Sequence, residues 1–439
     1  MLNKIKRLTQ SALLKDSLIY VVGEMTAKAV PFLLLPYLTR VLGTTGFGDL
    51  SYYLSLTAFI LIAMSLSQNG ALTRYFYVYG RHGLGNILLA GGLYSVGVLL
   101  IGTVISWLLH SELLFYCFFT AFLQTLIQNQ LALRQCQKRP FSYLTIQLGL
   151  ALGNLLWTVL IFQFFAGDTT DKVAQRLIAI ILAHGFTFVV ALAWAKYQFA
   201  IKFRFTPKRL KLGLGYILTL GLPLLLHGLS YTIKGQLDRV LIHERFSSHE
   251  LGVYSAGVQV ASSLTIVIMA VNSALVPHLY ERLKSQRMTV MQLHRLFWLS
   301  LMVPVILTAM AWAMPSSLVA WLLGADFAQS QYYVVMFILA FSLIIPYLLL
   351  VNFLFYHAKS AQISLCSVIS TVVYLLALWV LSGVSLAVVP YATIISGVVI
   401  LPLLYYYTLQ VEKVKKTPCI SFFVLPPCQC CLSRQLFTS

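Results

Sequence analysis

"GEMTAKAVPFLLLPYLTRVLG", residues 23–43, decides the class of this chain. The stretch is long and apolar enough to sit in hydrocarbon, yet it carries Glu24 and Lys28 and ends near Arg40. Placing a Lys or Arg at the centre of a membrane helix costs about 2.5–3.5 kcal/mol. Something must offset that cost. Glu24 and Lys28 stand four residues apart with the acid first, the favourable order for a helical ion pair.

Working outward, the same composition continues. Of 439 residues, 59% are hydrophobic and only 10% are charged, whereas a soluble domain is about 25% charged. The mean hydropathy is +0.84. Apolar runs of about 18 residues or more mark membrane helices. Twelve are predicted, at 17–42, 50–72, 84–109, 112–133, 142–166, 176–199, 213–233, 251–277, 295–323, 332–356, 361–382 and 385–409. The fold class is therefore an all-α integral membrane protein. No stretch between the runs is large enough for a soluble catalytic domain. The first run is too long for a signal-peptide core and no A-x-A-like site follows it, so it is expected to stay as a helix.

The net charge of +19 is an orientation signal. With both termini placed in the cytoplasm, the inner segments hold 24 of the 31 Lys and Arg and the outer segments six, Lys28 being the remaining one. That bias is the positive-inside pattern. It accounts for the basic excess without nucleic acid, whose binding would require a basic groove on a soluble fold.

Internal similarity divides the chain. "LTRVL" at 38–42 recurs as "LDRVL" at 237–241, "FGDLS" at 47–51 parallels "LGVYS" at 251–255, and "NGAL" at 69–72 parallels "NSAL" at 272–275. The order agrees, and so does the spacing, apart from five extra residues in the second connecting loop. Such a repeat predicts two pseudo-symmetric six-helix bundles around a central cavity, a transporter plan. The expected parts are a cytoplasmic tail at 1–16, bundles at 17–199 and 213–409, a basic linker at 200–212 and a Cys-containing cytoplasmic tail at 410–439.

Three segments carry a family resemblance: "PFLLLPYLTRVLGTTGFGDLSYYLSL" at 31–56, "GLPLLLHGLSYTIKGQLDRVLIHERFSSHELGVYSAG" at 221–257 and "NSALVPHLYERL" at 272–283. Through them the chain resembles the Wzx-type polysaccharide (O-antigen) flippases of the multidrug/oligosaccharidyl-lipid/polysaccharide exporter superfamily, over about residues 15–410. The resemblance implies translocation of undecaprenyl-diphosphate-linked repeat units across the bacterial inner membrane. It also implies partnership with the polysaccharide polymerase and chain-length regulator, and no cofactor. The Cys-rich tail departs from the family pattern.

The charged residues acquire candidate roles in that light. Taking the first helix to start near Ser17, Lys28 lies about 16 Å in, near the midplane. The repeat offset makes His227 its counterpart. Intramembrane ionisable groups usually line a pathway, and a diphosphate crossing a low-dielectric cavity needs positive walls. Lys28 and His227 are thus candidate substrate contacts, against a self-neutralised Glu24–Lys28 pair and a hydrogen-bonded core histidine. Arg40 and Arg239, at the outer ends of helices one and seven, either snorkel to the interface or form an outer cationic gate. Arg74, inside, meets either the incoming headgroup or membrane phosphates. Lys234 and Asp238 form a second four-residue pair. Glu24 is the candidate coupling residue, a proton-linked partner of Lys28. Pro31, Pro36 and Pro223 are expected to kink helices one and seven.

An enzyme reading lacks parts. No Ser/His/Asp set, metal cluster or P-loop is apparent, and the 12 acidic residues are scattered. A glycan polymerase would be expected to carry a large outer loop. The tail cysteines Cys419, Cys428, Cys430 and Cys431 lack both the paired C-x2-C spacing of zinc sites and a C-a-a-X end. The serious alternative is a cation-coupled drug or metabolite antiporter of the same superfamily. A cationic midplane argues instead for an anionic cargo.

Overall fold

Backbone groups in hydrocarbon find no water, so a spanning segment must satisfy its hydrogen bonds internally; a helix does so. The computed structural model describes residues 2–80, 83–165, 169–198, 207–285 and 290–416, with the side chains of 2–18, 20, 169, 170, 195–198, 223, 224, 226, 227, 290 and 412–416 outside the description. Its helices are α1 (Leu2–Ser65), α2 (Gln68–Tyr79), α3 (Leu84–Leu108), α4 (Glu112–Cys136), α5 (Pro140–Phe164), α6 (Thr169–Gln198), α7 (Pro207–Arg245) and α8 (Ser248–Lys284). They continue as α9 (Val290–Ser300), α10 (Met302–Trp312), α11 (Ser316–Leu323), α12 (Ser330–Ser342), α13 (Ile344–Tyr356), α14 (Ser360–Leu381) and α15 (Pro390–Lys416). No strand occurs among the described residues.

Nine described stretches are long and apolar enough to cross a membrane, against the twelve expected. The difference lies in three places. The stretch Val21–Tyr79 joins two expected spans. Helices α4 and α7 occupy two more: glutamines and an asparagine lower the hydropathy of α4, and in α7 the side chains of 223, 224, 226 and 227 lie outside the description. Helix α1 also begins at Leu2, so the expected tail boundary at residue 16 falls inside a helix. Its backbone remains helical through Pro31 and Pro36, and the break falls at Gly43, φ 66° and ψ −174°. A side chain there would be strained, so glycine allows the chain to turn between its two arms. A second break, at Leu66 and Ser67 with φ 42° and 51°, separates α1 from α2.

Local chemistry sets other boundaries. The Ser247 hydroxyl accepts from the Glu250 backbone N–H, and the Glu250 carboxylate accepts from that of Ser247, both at 3.2 Å. This capping box starts α8. Ser111 caps α4 in the simpler way, accepting from Leu114 N–H at 3.3 Å.

In the first half, α1 packs on α3, α4, α5 and α6; in the second, α8 packs on α12 and α13, and α14 on α15. The halves meet chiefly where α1 crosses α8. At that crossing lie Gly48 and Gly252, the repeat-equivalent glycines of "FGDLS" and "LGVYS". A Cβ on Gly48 would fall 1.8 Å from the Ser248 carbonyl oxygen, and one on Gly252 would fall 1.9 Å from that of Thr44. Only glycine permits such an approach between helices. Around it, Phe47 and Leu50 share a core with Ala256, Val319, Leu323 and Phe327, and the Phe47 and Phe327 rings meet edge-on at 6.1 Å.

Away from the crossing the packing thins. The buried residues of α8 run from Leu251 to Ala261, and beyond them only Ile268 is buried. Large apolar side chains elsewhere are exposed, among them Leu100, Trp107, Phe186, Trp312 and Leu376. That is the reverse of a soluble surface and the expected outside of a membrane protein.

Candidate functional site

The first arm of α1 carries the charged pair. Lys28 Nζ lies 3.4 Å from Glu24 Oε1, and the two side chains are 56% and 55% exposed. Helix geometry orients the pair. Residues seven apart share a face, so Leu35 and Leu42 continue the face of Lys28. They are 1% and 4% exposed and belong to the core around the α1–α8 crossing. One face of α1 is therefore sealed toward Gly43 and open at Lys28. From Lys28 to Gly43 is 15 residues, about 22 Å of helix.

The other sequence-derived residues sit apart from this pair. Arg40 reaches across the halves, its Nη2 donating to the Trp321 carbonyl at 2.6 Å. That carbonyl lies in the last turn of α11, where intrahelical donors run out. Arg239 curls along α7, donating to the Gly235 carbonyl at 2.9 Å and to Gln236 Oε1. Gln236 Oε1 also accepts from Ser55 of α1 at 2.9 Å, tying the halves together again. Arg74 of α2 donates to the Tyr216 hydroxyl of α7 at 3.2 Å and stands 6.0 Å from that ring's centroid. His227 lies on α7, but its side chain is outside the described residues.

One expected pair is absent. Lys234 and Asp238 do not bond each other: Lys234 Nζ donates to Ser370 Oγ of α14 at 2.7 Å. Asp238 accepts from the Tyr254 hydroxyl at 2.5 Å and from the Arg239 backbone N–H at 2.9 Å. Tertiary neighbours on α8 and α14 outcompete the weak i,i+4 attraction, worth about 0.2–0.5 kcal/mol in isolated helices.

Several polar groups were not singled out by sequence. Asp49 and His243 face each other across the halves, Oδ1 to Nε2 at 3.7 Å. Tyr52 stacks on His243 at 3.9 Å, and its hydroxyl donates to Glu244 at 3.5 Å. Their positions beside the two repeat motifs were the available signal. Gln68 is buried at the start of α2. Its Nε2 donates to Ser95 Oγ at 2.9 Å and to the Gly91 carbonyl at 3.1 Å, while its Oε1 accepts from Asn129 Nδ2 at 2.9 Å. Arg134 and Arg176, counted as loop charges, are buried instead. Arg134 donates to the Ala191 carbonyl at 2.8 Å and Arg176 to Thr158 Oγ1 at 2.6 Å. Among the described residues no cluster of three His, Cys, Asp or Glu could hold a metal ion.

Comparison with known proteins gives these features a family. Residues 13–283 match the family described as Polysaccharide biosynthesis protein. A protein of the Lsg locus of Haemophilus influenzae (strain Rd) is 40% identical over 403 residues, covering 91% of this chain and 98% of the relative. A second protein of that strain, described as an uncharacterized membrane protein, is 41% identical over 405 residues, covering 92% and 98%. Among solved structures, the inward-facing conformation of a multidrug resistance MATE family transporter of the MOP superfamily aligns with a TM-score of 0.65 at 14% identity, covering 89% of this chain and 96% of that one. A MATE structure in the straight conformation aligns with a TM-score of 0.55 at 14% identity, covering 92% and 97%. The fold is that of these transporters.

Proposed function

The chain belongs to the polysaccharide biosynthesis protein family of membrane proteins, and we propose that it flips undecaprenyl-diphosphate-linked oligosaccharide repeat units from the cytoplasmic to the outer face of the bacterial inner membrane. The positive-inside charge bias supports a cytoplasmic position for both termini. The polymerase and chain-length regulator are the proposed downstream partners.

One observation carries this reading: Lys28 sits on a face of α1 that is open at its own level and sealed toward Gly43. Because Gly43 is assigned to the outer side, the open part faces the cytoplasm, from which the cargo arrives. An ammonium group held by a carboxylate within an apolar arm is a ready counter-charge for a diphosphate. When the cargo binds, Lys28 exchanges one anionic partner for another. Glu24 is the proposed coupling group, because its protonation releases Lys28 and its deprotonation recaptures it. Arg40 and the Asp49–His243 pair lie between the halves near the crossing, where they would have to part for release outward.

The fold likeness to multidrug transporters supports a second reading, a drug or metabolite antiporter. An exposed lysine within the apolar arm of α1 disfavours organic cations, which supports the first. Deleting the gene and measuring lipid-linked repeat units in the cytoplasmic leaflet decides between them. Accumulation that wild type reverses and Lys28→Glu does not is expected. A deletion strain with normal surface polysaccharide and heightened drug sensitivity would overturn the flippase reading.

A further inference from the structure

The second half contains a two-part cleft that the Lys28 site does not use. One part, about 880 Å³, lies between the ends of α8 and α9 and is lined by His278, Glu281, Arg282, Gln292 and Arg295. The other, about 760 Å³, runs along α8 against α9, α10 and α13 and is lined by Leu264, Val267, Val271, Leu275, Leu307 and Leu348 among others. His278, Arg282 and Leu296 border both, so the two are one continuous depression with a polar end and an apolar body. Volumes of this size suit a ligand of drug-like dimensions or a segment of a longer chain.

The polarity gradient follows the helix. From Arg282 back to Leu264 is 18 residues, about 27 Å of rise, close to the roughly 30 Å hydrocarbon thickness. The charges therefore cluster at the end of α8 that the positive-inside bias places at the cytoplasmic headgroup level, and the apolar body runs into the bilayer. Arg282 and Arg295 form no ion pair among the described residues, although Glu281 lines the same space. Two guanidinium groups against one carboxylate leave the polar end net positive. Asn352 of α13 donates to Asn272 of α8 at 2.8 Å, pinning the two walls of the apolar body together.

We propose that this cleft is a lateral docking site for the lipid anchor of the cargo, with the diphosphate held by Arg282, Arg295 and His278 and the prenyl chain lying along Val267, Val271 and Leu275. The assignment rests on the flippase reading above and adds where the anchor waits before the headgroup enters the space near Lys28. Charge complementarity and the apolar body together select the occupant. A free diphosphate would leave the apolar body empty. A prenyl alcohol would leave two guanidinium groups unpaired.

The test uses the purified full chain in nanodiscs of zwitterionic lipid. Binding is measured by native mass spectrometry with undecaprenyl diphosphate, inorganic pyrophosphate or phosphatidylglycerol as the probe. Wild type is expected to bind undecaprenyl diphosphate at least about tenfold more tightly than either of the others. Arg282→Ala/Arg295→Ala should weaken that binding about tenfold or more, as should Val271→Trp, which fills the apolar body. Because these side chains are exposed, unchanged melting temperatures are expected and are checked in parallel. Arg282→Lys/Arg295→Lys should restore most of the affinity. If wild type binds the prenyl diphosphate and both sets of variants bind it equally well, the site is wrong while the flippase reading stands. If phosphatidylglycerol binds as tightly and competes, the cleft holds structural phospholipid and the proposal fails. If wild type binds no prenyl diphosphate at all, both readings fall together.

Discussion

Gly48→Ala perturbs the contact on which the closed side of the molecule depends. The new methyl carbon would lie 1.8 Å from the Ser248 carbonyl oxygen, whereas ordinary contact begins at 3.4 Å, so the two helices must separate by about 1.6 Å or slide. Forcing an extra carbon into a close-packed contact costs about 1–3 kcal/mol. The helix itself gains from the change, because alanine is a better helix former than glycine by about 0.8–1 kcal/mol. The penalty therefore falls on the closed arrangement of the halves, not on α1. A bias of 1–3 kcal/mol shifts a two-state ratio about 5- to 150-fold toward the state in which α1 and α8 have parted. Ser55→Cys supplies a reporter, because Ser55 is fully buried and faces Gln236 across the halves. In intact cells, a membrane-impermeant thiol reagent should label Ser55→Cys slowly alone and several-fold faster when combined with Gly48→Ala. Gly252→Ala should act alike, and the double variant should add little, because both substitutions relieve the same crossing. An unchanged labelling rate at matched abundance would refute the idea that this crossing holds the outer side shut.

Other outcomes follow from the same geometry. Lys28→Glu should stop surface polysaccharide export, Lys28→Arg should retain part of it, and Lys28→Ala should lower it at near-normal membrane abundance; a collapse in abundance would mark Lys28 as a purely structural partner. Glu24→Gln should remove the pH dependence of transport in proteoliposomes while the protein still reconstitutes, and a wild-type pH profile would leave Glu24 with no coupling role. Gln68→Leu strands the bonding groups of Ser95 and Asn129 in the first half. It should lower stability by about 0.6–1.7 kcal/mol, the range from average to largest for hydrogen bonds between membrane helices, read as a lower midpoint in a detergent unfolding series. Reporter fusions after Lys211 and Lys413 should score cytoplasmic and one near Asp168 external; an external signal at the 196–212 linker would break the two-bundle orientation.

Much of this molecule follows from residue chemistry alone. Hydropathy dictates helices because hydrocarbon leaves the backbone no other partner. The recurrence of "LTRVL" and "FGDLS" as "LDRVL" and "LGVYS" marks the two halves, and the i,i+4 spacing with the acid first puts Glu24 and Lys28 within reach of each other, as the 3.4 Å contact shows. These are local or periodic properties, carried by neighbours in the chain. What tertiary structure decided is which partner wins when several compete. Lys234 and Asp238 have the same spacing as Glu24 and Lys28, yet each is taken by a hydroxyl from another helix. Arg40 is claimed by a carbonyl of α11 some 281 residues away, and Arg176 is drawn into the interior beside Thr158. The prolines drew attention as bends, but the break occurs at Gly43, where the chain needs a positive φ. Gly48 and Gly252 appear in sequence as members of a repeat. That they touch, and so close one side while burial along α8 thins beyond Ala261, depends on how two distant helices cross. No single stretch of sequence encodes that choice, because it is settled by the sum of contacts between both halves.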